Sequence, residues 1–131
     1  MIRPPRVIPT KAHGIADYAS GALILAASTG LRGVPKGVAT AVGAGVLAQS
    51  LLTDYELGVV RLVPMRAHLA LDVASGLALA GSAVGPTGGG ATGVASRVLP
   101  VLAGIGEVTV ALMTQPDPPR RWRRRRSRLA F

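Results

Sequence analysis

The chain contains no cysteine. That excludes a disulfide framework, a thiolate metal site and a cysteine nucleophile, and it leaves the redox compartment unread. Aromatic residues make up 3% and charged residues 16% of its 131 positions. A soluble helical domain leans on Leu, Ile and Phe inside and carries a charged outer face. Neither feature is present. No Gly-x-Ser-x-Gly elbow occurs, and the two histidines belong to no Ser-His-Asp arrangement. The glycines at 43, 45, 104 and 106 follow no strand and precede no Lys-Ser/Thr pair, so they form no phosphate loop. An enzyme is not expected, and no cofactor is implied.

What is present is a set of long apolar stretches built from Ala, Gly, Val and Leu, with small residues on every face. Such stretches suit helices in lipid, where small residues let backbones approach closely. The net charge of +9 is lopsided, because seven Arg lie within residues 120–128.

The main organising feature is a duplication. Pro9-Thr10-Lys11-Ala12-His13-Gly14-Ile15-Ala16-Asp17-Tyr18-Ala19-Ser20-Gly21 returns as Pro64-Met65-Arg66-Ala67-His68-Leu69-Ala70-Leu71-Asp72-Val73-Ala74-Ser75-Gly76. Seven of the thirteen positions are identical, and Lys11/Arg66 keeps its charge. A fixed-period match of this kind is settled before any other reading.

Helices are expected over about Thr10–Thr29, Pro35–Leu52, Met65–Ala83 and Val94–Thr114, with Thr10 as an N-cap and Pro35 in a first turn. Pro4-Pro5 makes the start an extended arm. The 53–64 link is read as room for a short interfacial helix, and 85–93 as a flexible glycine loop. The segment from Tyr18 to Ala27 imitates a signal-peptide core, but Asp17 interrupts it and its copy lies mid-chain, so that reading is rejected.

The second helices also align, Gly43-x-Gly45 through Thr53 with Gly104-x-Gly106 through Thr114, at an offset of 61. Each repeat is therefore a helical hairpin. The expected fold is all-α: four transmembrane helices as two parallel hairpins related by an axis along the membrane normal. The divisions are a basic Pro-rich arm (1–11), a first repeat (12–58), a second repeat (59–115) and an Arg-rich tail (116–131). Arg3, Arg6, Lys11, Arg61, Arg66 and the tail outweigh Arg32, Lys36 and Arg97, which sets both termini in the cytoplasm of a multi-pass protein of the cell membrane.

The runs Lys11-Ala-His13-Gly-Ile-Ala-Asp17-Tyr18, Leu52-Thr53-Asp54-Tyr55-Glu56-Leu57-Gly58 and Pro64-Met65-Arg66-Ala-His68 resemble small bacterial membrane proteins with SPW repeats. The resemblance covers roughly residues 8–115. Where that family ends its first helices in Ser-Pro-Trp, this chain has Ser28-Thr29-Gly30 and Ser82-Ala83-Val84. The resemblance implies a duplicated two-helix membrane fold and no particular chemistry.

His13/Asp17 and His68/Asp72 are spaced i, i+4, so each pair shares a helix face. One reading is a proton relay or ion site, the other a hydrogen-bonded pair that fixes helix contacts. A metal site would require helices one and three to meet at these residues, and none is expected. Glu107 sits inside helix four, opposite Val46 in the repeat alignment, and is expected to face the bundle with Thr109, Gln49 or Ser50 as partner. Arg120, Arg121, Trp122, Arg123, Arg124, Arg125, Arg126 and Arg128 are read as a clamp for anionic lipid headgroups or an acidic partner. Nucleic acid is the least favoured partner. The expected role is structural or accessory, packing with itself or with a larger membrane complex. The alternative is a small transporter or channel, favoured if a path joins Glu107 to His68 and Asp72.

Overall fold

The computed structural model describes residues 5–120, 122 and 124. The chain is all-helical, with α1 at Thr10–Ser28, α2 at Gly33–Leu52, α3 at Met65–Ser82 and α4 at Gly90–Met113. α1 packs along α2 and α3 along α4, and α2 also meets both helices of the second hairpin.

The ends of these helices differ from the expected ones for local reasons. Pro9 and Pro64 occupy the N-cap positions of α1 and α3 in the same extended conformation. Proline fixes φ near the value needed there, and its carbonyl accepts the first helical bond, from His13 N (3.0 Å) and His68 N (3.1 Å). Thr10 is thus the first helical residue and not the cap, and its hydroxyl donates to Glu56 Oε2 at 2.6 Å. α2 begins at Gly33, whose φ of 65° favours glycine. α4 begins four residues early, at Gly90, and carries Pro100 inside it.

Each hairpin closes through glycines. A Cβ on Gly43 would lie 2.9 Å from Gly21 O, and one on Gly104 would lie 2.2 Å from Gly76 O. The two pairs occupy equivalent repeat positions. Only glycine lets backbones come this close, which is the small-residue packing that the composition anticipated.

The 53–64 link is a compact loop of turns with no helix. Thr53 and Val63 form a parallel bridge, and Ile8 and Thr114 form its counterpart. Ile8 N donates to Met113 O (3.0 Å) and Gln115 N donates to Ile8 O (2.9 Å), so the described part of the N-terminal arm is strapped to the end of α4. These bridges gather the starts of α1 and α3 and the ends of α2 and α4 at one end of the bundle. At the other end Arg32 N donates to Ser96 Oγ (3.0 Å) and Val34 N to Pro86 O (3.3 Å).

Burial runs opposite to the usual order. Thr10, His13, Asp17, Ser50, Thr53, His68, Asp72, Ser82, Ser96 and Thr114 are buried. Leu23, Leu77, Val84, Leu102 and Ile105 are exposed, Val84 at 89%. The buried apolar residues form two small clusters, Ile24/Leu31/Ala39/Leu79 and Tyr55/Met65/Leu69/Ala111.

Among the described residues one helix, α4, is long and apolar enough to cross a membrane. The other three of the expected four spans fall short of that measure. Lys11 and Asp17 in α1, Arg66 and Asp72 in α3, and Pro35, Lys36 and Gln49 with the Gly, Thr and Ser of α2 lower their hydropathy.

Candidate functional site

The duplication places one His and one Asp in the first two turns of α1 and of α3, on the inward face of each helix. The four side chains converge. His13 Nε2 lies 3.1 Å from Asp17 Oδ2 and 3.0 Å from Asp72 Oδ2; His68 Nε2 lies 2.7 Å from Asp17 Oδ2 and 3.2 Å from Asp72 Oδ2. The two Nε2 atoms are 3.1 Å apart, with the rings edge to face. The i, i+4 pairs expected within each helix are present, and each carboxylate is also shared with the histidine of the other repeat. Helices one and three therefore meet here, which is the condition a metal site required. All four donor atoms lie within 4.8 Å of one another, and all four residues are buried.

The outer ring of the site comes from α2 and α4. Thr53 and Thr114 sit at the C-caps of these helices, where the backbone turns extended. Each hydroxyl reaches back one turn and donates to a carbonyl, Thr53 to Gln49 O and Thr114 to Val110 O, both at 2.6 Å. A hydroxyl has one proton. With that proton committed, the oxygen can only accept from a histidine, and it does so from His68 Nδ1–H at 2.7 Å (Thr53) and His13 Nδ1–H at 2.9 Å (Thr114). The network thus places a proton on Nδ1 of each ring and turns both Nε2 atoms toward the carboxylates.

These bonds cross between repeats. The first repeat's His13 is held by the second repeat's Thr114, and the second repeat's His68 by the first repeat's Thr53. The carboxylates are oriented by α2 alone: Gln49 Nε2 donates to Asp72 Oδ1, and Ser50 Oγ donates to Asp17 Oδ2 at 3.3 Å. Their counterparts in α4 are Val110 and Ala111, which have nothing to donate. The Tyr55 ring closes the end of the site, 6.0 Å from His68.

Glu107 stands beside this group. Its Oε2 accepts from Ser75 Oγ at 3.0 Å, and its Oε1 is buried without a hydrogen-bond partner. The expected partners are engaged elsewhere: Thr109 donates to Ile105 O, Gln49 to Asp72 and Ser50 to Asp17. A cleft of about 350 Å³ between α1 and α4 is lined by Glu107, Asp72, Asp17 and His13. An apolar groove between the same two helices is lined by Leu31, Leu79, Leu99 and Pro100 among others, and shares Leu23, Ile24 and Ala103 with the cleft.

Arg120 and Arg124 are exposed, and the Arg61 guanidinium lies over the Trp122 ring at 5.2 Å from its centroid. Arg121, Arg123, Arg125, Arg126 and Arg128 lie outside the described residues. Arg66, the partner of Lys11 in the repeat, makes an exposed ion pair with Asp117 at 2.9 Å.

Thr53 and Thr114 were within reach of sequence reasoning, because the 61-residue alignment pairs them. Gln49 and Ser50 were picked out as polar partners for Glu107, but the repeat alignment does not repeat them and so could not assign them to the carboxylates they serve. No family model matches this chain, and no curated protein or solved structure does.

Proposed function

We propose that the chain is a small multi-pass membrane protein with a structural or accessory role, its two hairpins fastened at the buried His–Asp centre and its outer surface covered by lipid. The observation that carries this reading is the reversed burial: polar side chains inside and Leu23, Leu77, Val84, Leu102 and Ile105 outside. In water such a surface would be a broad exposed apolar patch; in a bilayer it is the solvated face. The short helices are accommodated by local thinning of the bilayer and by snorkelling of flanking Arg and Lys, at fractions of a kcal/mol per Å of mismatch. Helices α1 and α3 then set the His–Asp centre close to the headgroup level, since Asp17 lies about 10 Å along α1 at 1.5 Å per residue. The likeness to SPW-repeat proteins agrees with this fold and adds no chemistry.

Reporter fusions test it. A fusion at Phe131 should report the cytoplasm, and one within Gly88–Gly90 the opposite side. The same side for both would end the four-span reading.

One observation favours a second reading, a transporter. The cleft between α1 and α4 joins Glu107 to Asp72 and His13, and intramembrane ionisable groups of this kind mark ion and proton paths. Proton or cation flux in proteoliposomes, abolished by Glu107→Gln with the fold retained, would establish it. Absence of flux leaves the accessory role.

A further inference from the structure

We propose that His13, Asp17, His68 and Asp72 bind one divalent transition-metal ion, with Zn²⁺ the best fit. This goes beyond the accessory reading and does not depend on the number of membrane spans.

The argument starts from the protons. Thr53 and Thr114 hold both histidines in the Nδ1–H form. Neutral rings in that form present lone pairs at Nε2. Two lone pairs 3.1 Å apart then face two carboxylates, each at 2.7–3.2 Å. With both rings neutral, every group facing the centre is an acceptor, and such a buried set requires either a proton on Nε2 or a cation. A cation at the middle resolves it.

The geometry has the right size. Donors bound at about 2.0 Å around a tetrahedral ion lie about 3.3 Å from one another. The five measured separations, 2.7–3.2 Å, all fall below that, so the site must expand by a few tenths of an ångström to seat the ion. Two imidazoles and two carboxylates supply four protein ligands, which closes the coordination shell as in a structural Zn²⁺ site, with carboxylates standing where such sites usually have cysteine. The ion's two charges are matched by the two carboxylates, which leaves the centre neutral in a low-dielectric bundle.

The surroundings are those of a metal centre. Metal-bound histidines usually give their other N–H to a fixed acceptor, and bound carboxylates are themselves hydrogen-bonded. Thr53 and Thr114 do the first; Gln49 and Ser50 do the second. The α1/α4 cleft, with Glu107 on its wall, gives a route in.

The chain itself makes the test clean, because it has only these two histidines and no cysteine. Tag-free full-length protein in mild detergent is stripped with chelator, incubated with Zn²⁺ and desalted. Elemental analysis should give close to one Zn²⁺ per chain, and Co²⁺ loading should give the visible bands of a tetrahedral site. His68→Gln should lose the ion. Thr53→Val keeps all four ligands, so it should still bind, about 10–100-fold more weakly against a competing chelator. Folded wild-type protein that takes up less than a tenth of an equivalent would overturn the proposal, because the centre would then be satisfied by protons alone. A His13→Gln/His68→Gln double variant that retains a full equivalent would overturn it equally.

Discussion

Substituting Gly104 by alanine tests whether the α3–α4 hairpin is closed by direct backbone contact. The new Cβ would stand 2.2 Å from Gly76 O and 2.9 Å from Ala80 N, where ordinary contacts begin at 3.4 Å. Both obstacles are main chain, so no rotamer change relieves them and the helices must separate by roughly an ångström. Overpacking of this kind costs about 1–3 kcal/mol, and the absence of a flexible neighbour sets the cost at the upper end. Alanine's better helix propensity offsets about 1 kcal/mol. The net expected loss is about 2 kcal/mol. Gly106 is the internal control: it lies two residues on, about 200° round the helix from Gly104, and a Cβ there meets nothing within 4 Å. Gly106→Ala should therefore be neutral or stabilising by up to about 1 kcal/mol. Thermal unfolding in mild detergent, followed by helical circular dichroism, separates the two. Equal midpoints for both variants would refute the close-approach account.

Burial pushes the Tyr55 phenol above its ordinary value, with Tyr18 and Asp17 adding to the effect. The folded chain therefore holds a proton that the unfolded chain releases above about pH 10, so this group leaves stability unchanged below that pH and lowers it as pH rises further. Denaturant titrations should show a shallower alkaline loss in Tyr55→Phe than in wild type; identical slopes would contradict this. Deleting residues 120–131 should leave the unfolding midpoint of the bundle unchanged and weaken binding to anionic vesicles, at about 1 kcal/mol per Arg near the surface, as a flotation assay would read directly. A fallen midpoint with unaltered vesicle binding would reverse the assignment of that segment.

The repeat made much of the centre legible before any coordinates. Identical Pro, His and Asp at an offset of 55 fixed which residues would be equivalent, and the apolar stretches between them marked four helices. Partnership was less legible, because spacing along one helix says nothing about what crosses from another. The i, i+4 rule pairs His13 with Asp17, yet His13 lies as close to Asp72, and His68 lies nearer Asp17 than Asp72. Glu107 was matched to polar residues near it in the expected packing, but Ser75 from α3 reaches it. Thr10 looked like a cap from its residue type, while Pro9 already supplied the geometry and freed the hydroxyl for Glu56. The same limit applies to the membrane. Composition pointed to lipid along the whole chain, whereas length and hydropathy single out α4.

The crossed threonine–histidine bonds bear on how such a chain arises. One hairpin carries one His, one Asp and one Thr, and its Thr is aimed away from its own His. A single hairpin cannot complete the centre, but two copies about a two-fold axis can, each lending its threonine to the other. The fused chain is thus equivalent to a dimer whose subunits have been joined by the 53–64 link. Once joined, the halves were free to diverge, and they have: Gln49 and Ser50 serve both carboxylates from one side, while Glu107 and the open cleft occupy the other. Separately expressed halves, 1–58 and 59–131, should therefore reassemble on mixing, and the second half, which lacks both carboxylate donors, should form the poorer dimer of itself.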